Sequence, residues 1–302
     1  MALQSLPSNL RGAVLLMLAI AGFSLVAACI KLLGGGIPVM QIVLVRQAVI
    51  ALILVPALHK NGVELFRTEY LALHAVRVVG AFLAMVMGFA AVVHLPLADA
   101  TTIGFAKSFF LTIFAVLILH ETVGVYRWTA VVVGFLGVLI VLQPGGVGVS
   151  VWSLAALGSA ALVGFVMVIV KRLTQHDSNQ KVMAWQAYGV GALVLPFGVF
   201  YWVWPSPEEW LLLGAMGALS YVAQRFNIEA YRVGEASLLA SLDYVRLLYA
   251  VAIGYLLFSD LPSAQTWLGS AVIISAALIT VYREHRLGRS VGRKSPQANP
   301  NS

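Results

Sequence analysis

The sequence is short of charge. Of its 302 residues, 10% are Asp, Glu, Lys or Arg, against about 25% in an ordinary soluble domain. So little polar surface cannot cover a compact particle in water, which excludes a soluble globular enzyme. Cysteine is nearly absent: Cys29 stands alone in an apolar run. No intrachain disulfide can form, and the redox compartment leaves no mark. Also missing are a phosphate-cradling Gly-rich loop, a Cys/His metal set and a Gly-x-Ser-x-Gly elbow. No catalytic residue, metal or cofactor is therefore assigned, and the chain is expected not to be an enzyme. An ATP-driven pump made of this chain alone is excluded. So is a β-barrel, whose strands would alternate apolar and polar residues.

What is present is apolar: 61% of the residues are hydrophobic and the mean hydropathy is +0.93. Runs near the ~20-residue length that crosses a bilayer fall at about 10–32, 38–58, 70–92, 97–119, 126–143, 151–172, 181–203, 208–230, 235–257 and 264–282. The expected fold is an all-α polytopic membrane protein with ten transmembrane helices. Gly34-Gly35-Gly36, Leu95-Pro96, Pro144-Gly145-Gly146, Pro205-Ser206-Pro207 and Leu261-Pro262 punctuate the runs. The first run follows Arg11, lacks a cleavage site and reads as an uncleaved helix.

The net charge of +7 invites a nucleic-acid reading, and the positions of the charges remove it. With the N-terminus inside, thirteen Lys and Arg residues fall on the inner side and Lys31 alone on the outer. The remaining five, Arg46, Arg77, Lys107, Arg225 and Arg246, lie within spans. That bias puts both termini in the cytoplasm. Residues 283–302 read as a basic, disordered cytoplasmic tail. The partners expected are a small-molecule substrate and the lipid bilayer, with no nucleic acid, and a monomer suffices.

The two halves, 1–143 and 144–282, resemble each other. Glu121 matches Asp260 and Trp128 matches Trp267 at a spacing of 139, and Asp99-Ala100 matches Glu235-Ala236 at 136. Five spans per copy is an odd number, so the copies must be inverted in the membrane, an architecture of transporters.

These residues resemble the drug/metabolite transporter (DMT) superfamily, EamA type. The family pattern of a Pro followed by an Arg in the second span is met by Pro38 and Arg46. Its fourth span closes on Leu-Gly-Glu, here Leu119-His120-Glu121, and an aromatic and a small residue open the fifth, here Trp128 and Ala130. Two departures stand out: Ser108 takes the place of a Pro, and His120 that of the Gly. The resemblance implies a multi-pass transporter of the inner (plasma) membrane. Within the superfamily the chain resembles exporters of aromatic and other neutral amino acids. A nucleotide-sugar, nucleotide or drug transporter of the same fold is the alternative.

An ionisable group inside a span is costly and marks a candidate site. Lys107 and Arg246 lie near the midplane at the repeat spacing of 139, and Asp243 sits one turn before Arg246. One of the cations would bind a carboxylate and Asp243 an amine; the plainer reading is that Asp243 only pairs Arg246. Tyr244, Phe82, Phe89, Trp185, Tyr188 and Tyr221 lie deep enough to line a site for an apolar or aromatic side chain. Arg46, His74, Arg77, Asp99, Gln224, Arg225 and Glu229 are candidates for gating or coupling, with Arg225 and Glu229 spaced to pair. Glu121 and Asp260, at helix–loop junctions, read as capping and hinge groups. His94 and Asp99 share a His-x4-Asp spacing with some acyltransferases, but the proline between them leaves that to chance.

Overall fold

The computed structural model describes residues 8–120, 124–143, 150–233 and 242–292. These residues form helices and no strand: α1 (Ser8–Leu33), α2 (Val39–Asn61), a 3₁₀ turn (Gly62–Leu65), α3 (Leu71–His94), α4 (Leu97–Gly104), α5 (Lys107–Leu119), α6 (Val125–Leu142), α7 (Val151–Leu173), α8 (Asn179–Phe200), α9 (Pro207–Val233), α10 (Val245–Phe258) and α11 (Ala264–Gly292). Their starts follow from local chemistry. Ser150 and Ser178 accept the amides of Ser153 and Lys181, and Ser206 and Glu209 cap each other reciprocally. Six of the described segments are long and apolar enough to cross a membrane. Leu117, Leu211, Leu256 and Leu268 stand exposed on the outside of the bundle, where lipid would cover them.

The helices pair across the two halves. The principal partners are α1 with α9, α3 with α7, α2 with α8 and α6 with α11. Exchanging the halves leaves this set unchanged: α1·α9 becomes α7·α3, while α2·α8 and α6·α11 map onto themselves. Such exchange is what two repeats related by a two-fold axis produce. The α6·α11 seam is closest at Gly137 and Gly269, where a Cβ on either would strike the other's carbonyl oxygen. With no side chain between them, the two backbones can touch.

Two expectations change. The fourth apolar run is two helices, α4 and α5. Between them the amides of Phe105, Ala106, Ser108 and Phe109 bond to carbonyls three residues back, a 3₁₀ tightening that interrupts the α-helix. Arg246 and Leu247 do the same with Asp243 and Tyr244 before α10, at the matching place in the second half. Residues 283–292, read as disordered, continue α11; the stretch holds no proline, and glycine interrupts its helix-forming residues only at Gly288 and at its end, Gly292. Glu121, Glu235 and residues 293–302 lie outside the described residues.

Candidate functional site

A cavity of about 830 Å³ lies between the halves. It is walled by α1, α3, the α4–α5 break, α7 and α10, and it takes in Gln186 of α8 and Gln224 and Asn227 of α9. The broken helix brings Lys107, the first residue of α5, to the wall, and the tightened turn before α10 does the same for Asp243. Gly164 of α7 makes room for this. A Cβ there would lie 2.9 Å from the carbonyl oxygen of Lys107.

Four charged side chains line the cavity among the described residues. Lys107 Nζ lies 3.2 Å from Asp243 Oδ2, and Arg246 Nη2 lies 3.3 Å from Asp243 Oδ1. One carboxylate thus serves two cations, one from each half. Arg46 is placed differently. Its Nε donates to Ser220 Oγ at 3.1 Å and its Nη1 to Gln47 Oε1 at 3.1 Å, and no carboxylate bridges it among the described residues. Each arginine faces an aromatic ring: Arg46 lies 5.8 Å from the centre of Phe89, and Arg246 lies 5.5 Å from that of Phe23.

Of the residues singled out in the sequence, Lys107, Asp243, Arg246, Arg46, Phe89 and Gln224 meet at this cavity. The others lie elsewhere. Tyr244 packs behind it against Phe105, and Phe82 stacks on Phe197. Tyr188 donates to the Ala51 carbonyl. Arg225 bonds to Tyr221, while Glu229 pairs with Arg11 at 3.2 Å; the expected Arg225–Glu229 pair is not formed. Physically, Arg11 on the facing helix α1 reaches Glu229 across the strongest inter-half contact.

Two polar clusters stand at the ends of the bundle. At the end bearing the basic loops, His74 of α3 bonds Asp177 of the α7–α8 loop at 3.0 Å and stacks on Trp185. Thr68 donates to the same carboxylate at 2.6 Å. Burial works to raise the Asp177 pKa, but the Thr68 and His74 hydrogen bonds and the Lys181 charge outweigh it, so the carboxyl sits below its usual value. Arg77 donates to the Val182 carbonyl and to Gln186. At the opposite end, Lys31 Nζ lies 2.6 Å from Asp260 Oδ2 and donates to the Leu95 carbonyl at 2.8 Å. Beside them Thr266 donates to Asp99, and His94 stacks on Trp152 and bonds to the Ala90 carbonyl. Sequence reasoning missed the roles of Asp177 and Lys31. Lys31 did carry a signal, as the lone cation of its face.

The sequence profile of the EamA-like transporter family matches the chain twice, over residues 10–143 and 150–282. A riboflavin transporter of Vibrio cholerae is 29% identical over 84% of this chain and 87% of its own length. An S-adenosylmethionine uptake transporter of Rickettsia prowazekii is 26% identical over 85% and 87%. A pseudopaline exporter of Pseudomonas aeruginosa is 29% identical over 88% and 94%. A solved crystal structure superposes with a TM-score of 0.64 at 17% identity, covering 92% of this chain and 99% of that one, a likeness of fold alone.

Proposed function

Because the chain belongs to the EamA-like transporter family of the drug/metabolite transporter superfamily, we propose that it carries a small metabolite with a flat ring across the inner membrane through the cavity between its halves. It is a multi-pass membrane protein built of tandem helical repeats. The observation that carries the proposal is the cavity itself: about 830 Å³, between the repeats, with both arginines set against aromatic rings. Sites for drug-sized ligands span roughly 300–1,000 Å³, so this one is large for a single free amino acid. The relatives named for riboflavin, S-adenosylmethionine and pseudopaline handle molecules of that larger class.

Transport would proceed by alternating access, the halves rocking about the midplane. With ten spans and cytoplasmic termini, the end bearing His74 and Asp177 faces the cytoplasm. The Lys31–Asp260 pair then shuts the outer end in this conformation, and Gln186, Gln224 and Asn227 mark the inner reach of the cavity. No catalytic step is assigned. The narrower reading, export of aromatic and other neutral amino acids, draws on the ion triad: Lys107 would hold the carboxylate and Asp243 the amine.

Counterflow into liposomes tests both. Vesicles holding purified protein and unlabelled riboflavin should accumulate labelled riboflavin above protein-free vesicles. Labelled tryptophan and phenylalanine, run in parallel with their own unlabelled forms inside, should not. Accumulation of the amino acids alone would select the export reading, and accumulation of neither class would overturn both.

A further inference from the structure

We propose that the cavity contains an anion subsite centred on Arg46, so that the cargo is a ring-bearing metabolite with a carboxylate or phosphate; this rests on the transporter reading above and narrows its substrate. The charge count of the wall supports it. Among the described lining residues three cations face one carboxylate, and that carboxylate is already shared between Lys107 and Arg246. The uncompensated charge therefore falls on Arg46. A buried guanidinium without a counter-ion is expensive, and where one persists inside a membrane bundle it pairs or meets a ligand. Here the pairing partners are neutral: Ser220 Oγ, Gln47 Oε1 and Met85 Sδ take three of the five N–H donors. They fix the plane of the group and leave the two Nη2 donors without an acceptor among the described residues. A guanidinium held this way suits a carboxylate or phosphate oxygen.

Phe89 and Met85 define what lies beside the anion. Met85 Sδ is 3.5 Å from Arg46 Nη1, and the Phe89 ring lies against the guanidinium. Across the cavity the Lys107–Asp243–Arg246 triad keeps one further surplus positive charge, with Phe23 beneath Arg246. Arg246 Nε is buried there without an acceptor. A molecule with an apolar ring between two arginine–aromatic pairs and an anionic group at Arg46 satisfies this wall. A neutral ring leaves Arg46 uncompensated.

Two matched pairs of probes test this by equilibrium dialysis against the purified, detergent-solubilised protein. One is riboflavin and its 5′-phosphate; the other is indole-3-acetamide and indole-3-acetate. The anionic member of each pair should bind about tenfold tighter or better, weakening as salt is added. Arg46→Gln should abolish the preference, and Arg46→Lys should restore part of it while also showing that the charge at this position, not loss of folding, is read. Equal binding within both pairs, absence of binding included, overturns the subsite. So does a preference that survives Arg46→Gln. Failure here leaves the transporter reading intact if riboflavin still exchanges in liposomes. An anion preference without exchange of any solute would keep the subsite and overturn the transporter reading.

Discussion

Each end of the bundle carries a carboxylate that ties its elements together, and the two do so in different ways. At the basic end, His74 is 0% exposed and the Asp177 side chain 7%. At the opposite end, the side chains of Lys31 and Asp260 are 15% and 29% exposed. Exposure decides what separation costs. Breaking a buried pair strands a desolvated group, at about 3–5 kcal/mol. A pair reached by water re-solvates, and its net worth is about 1 kcal/mol or less. The Asp177 cluster also joins α3 of the first half to the loop that opens α8 of the second, which makes it a fixed anchor. In the alternating-access cycle proposed above, Lys31–Asp260 would be the contact that opens and closes.

The largest expected effect follows from the buried end. Asp177→Ala leaves the Thr68 hydroxyl and the His74 ring without their acceptor and should destabilise the protein by about 3 kcal/mol. Melting followed by size-exclusion chromatography in detergent would show it. Lys31→Gln, measured alongside, should cost much less. If the two variants melt alike, the distinction between anchor and latch is wrong. The pH dependence has a definite sign. The native Asp177 carboxyl is depressed, so its contribution is complete above its unfolded value of about 3.9 and is lost as pH falls from there through the native value. The cluster's carboxylate should therefore be indifferent to pH across the neutral range.

A smaller effect is expected at the exposed end, and it concerns conformation more than stability. Ala27 lines the cavity near that end. In a Cys29→Ser background, a cysteine replacing Ala27 can be labelled with a membrane-impermeant maleimide. Lys31→Gln removes about 1 kcal/mol from the closed state, which raises the open population about fivefold where it is minor. Labelling from the outer face should rise by that factor, and Asp260→Asn should match it. An unchanged rate in both variants would show that the pair does not hold the outer end shut.

The described helices were legible in the sequence because a bilayer demands long apolar runs, which Gly and Pro punctuate here. The repeat was legible at Glu121 and Asp260 and at Trp128 and Trp267. The midplane cations were legible for the same reason: in a chain with so little charge, each buried cation has to be explained. The break between α4 and α5 was not. It contains no proline, and the close approach beside it, Gly164 of α7 against Lys107 and Leu111, is made by a helix distant in sequence. Most of the deep aromatics were misplaced because depth along a span says nothing of which way a side chain faces. Phe89 reaches the cavity, while Tyr188 turns to the Ala51 carbonyl and Tyr244 to Phe105. Asp177 was passed over as a loop acid, since only the fold brings His74 and Thr68 to it.

The smallest effect tests whether the ends are equivalent where the repeat says they are. His120 ends α5 with φ 53°, and Ser259 ends α10 with φ 55°. They are separated by the repeat spacing of 139 and lie at opposite ends of the bundle. Both hold the left-handed conformation that closes a helix, a conformation glycine adopts without the Cβ penalty. This accounts for the family's Gly at the position of His120: the backbone asks for it, and histidine bears the strain. His120→Gly and Ser259→Gly should each raise stability by about 0.5–1 kcal/mol, read as a small rise in melting temperature. The unfolded chain gains freedom with glycine, so the net gain stays below the full strain. Equal gains would mean that the two copies close their helices under the same backbone constraint, even where one end is an anchor and the other a latch. A gain at one end only would mean that function has altered the backbone of that copy as well as its side chains.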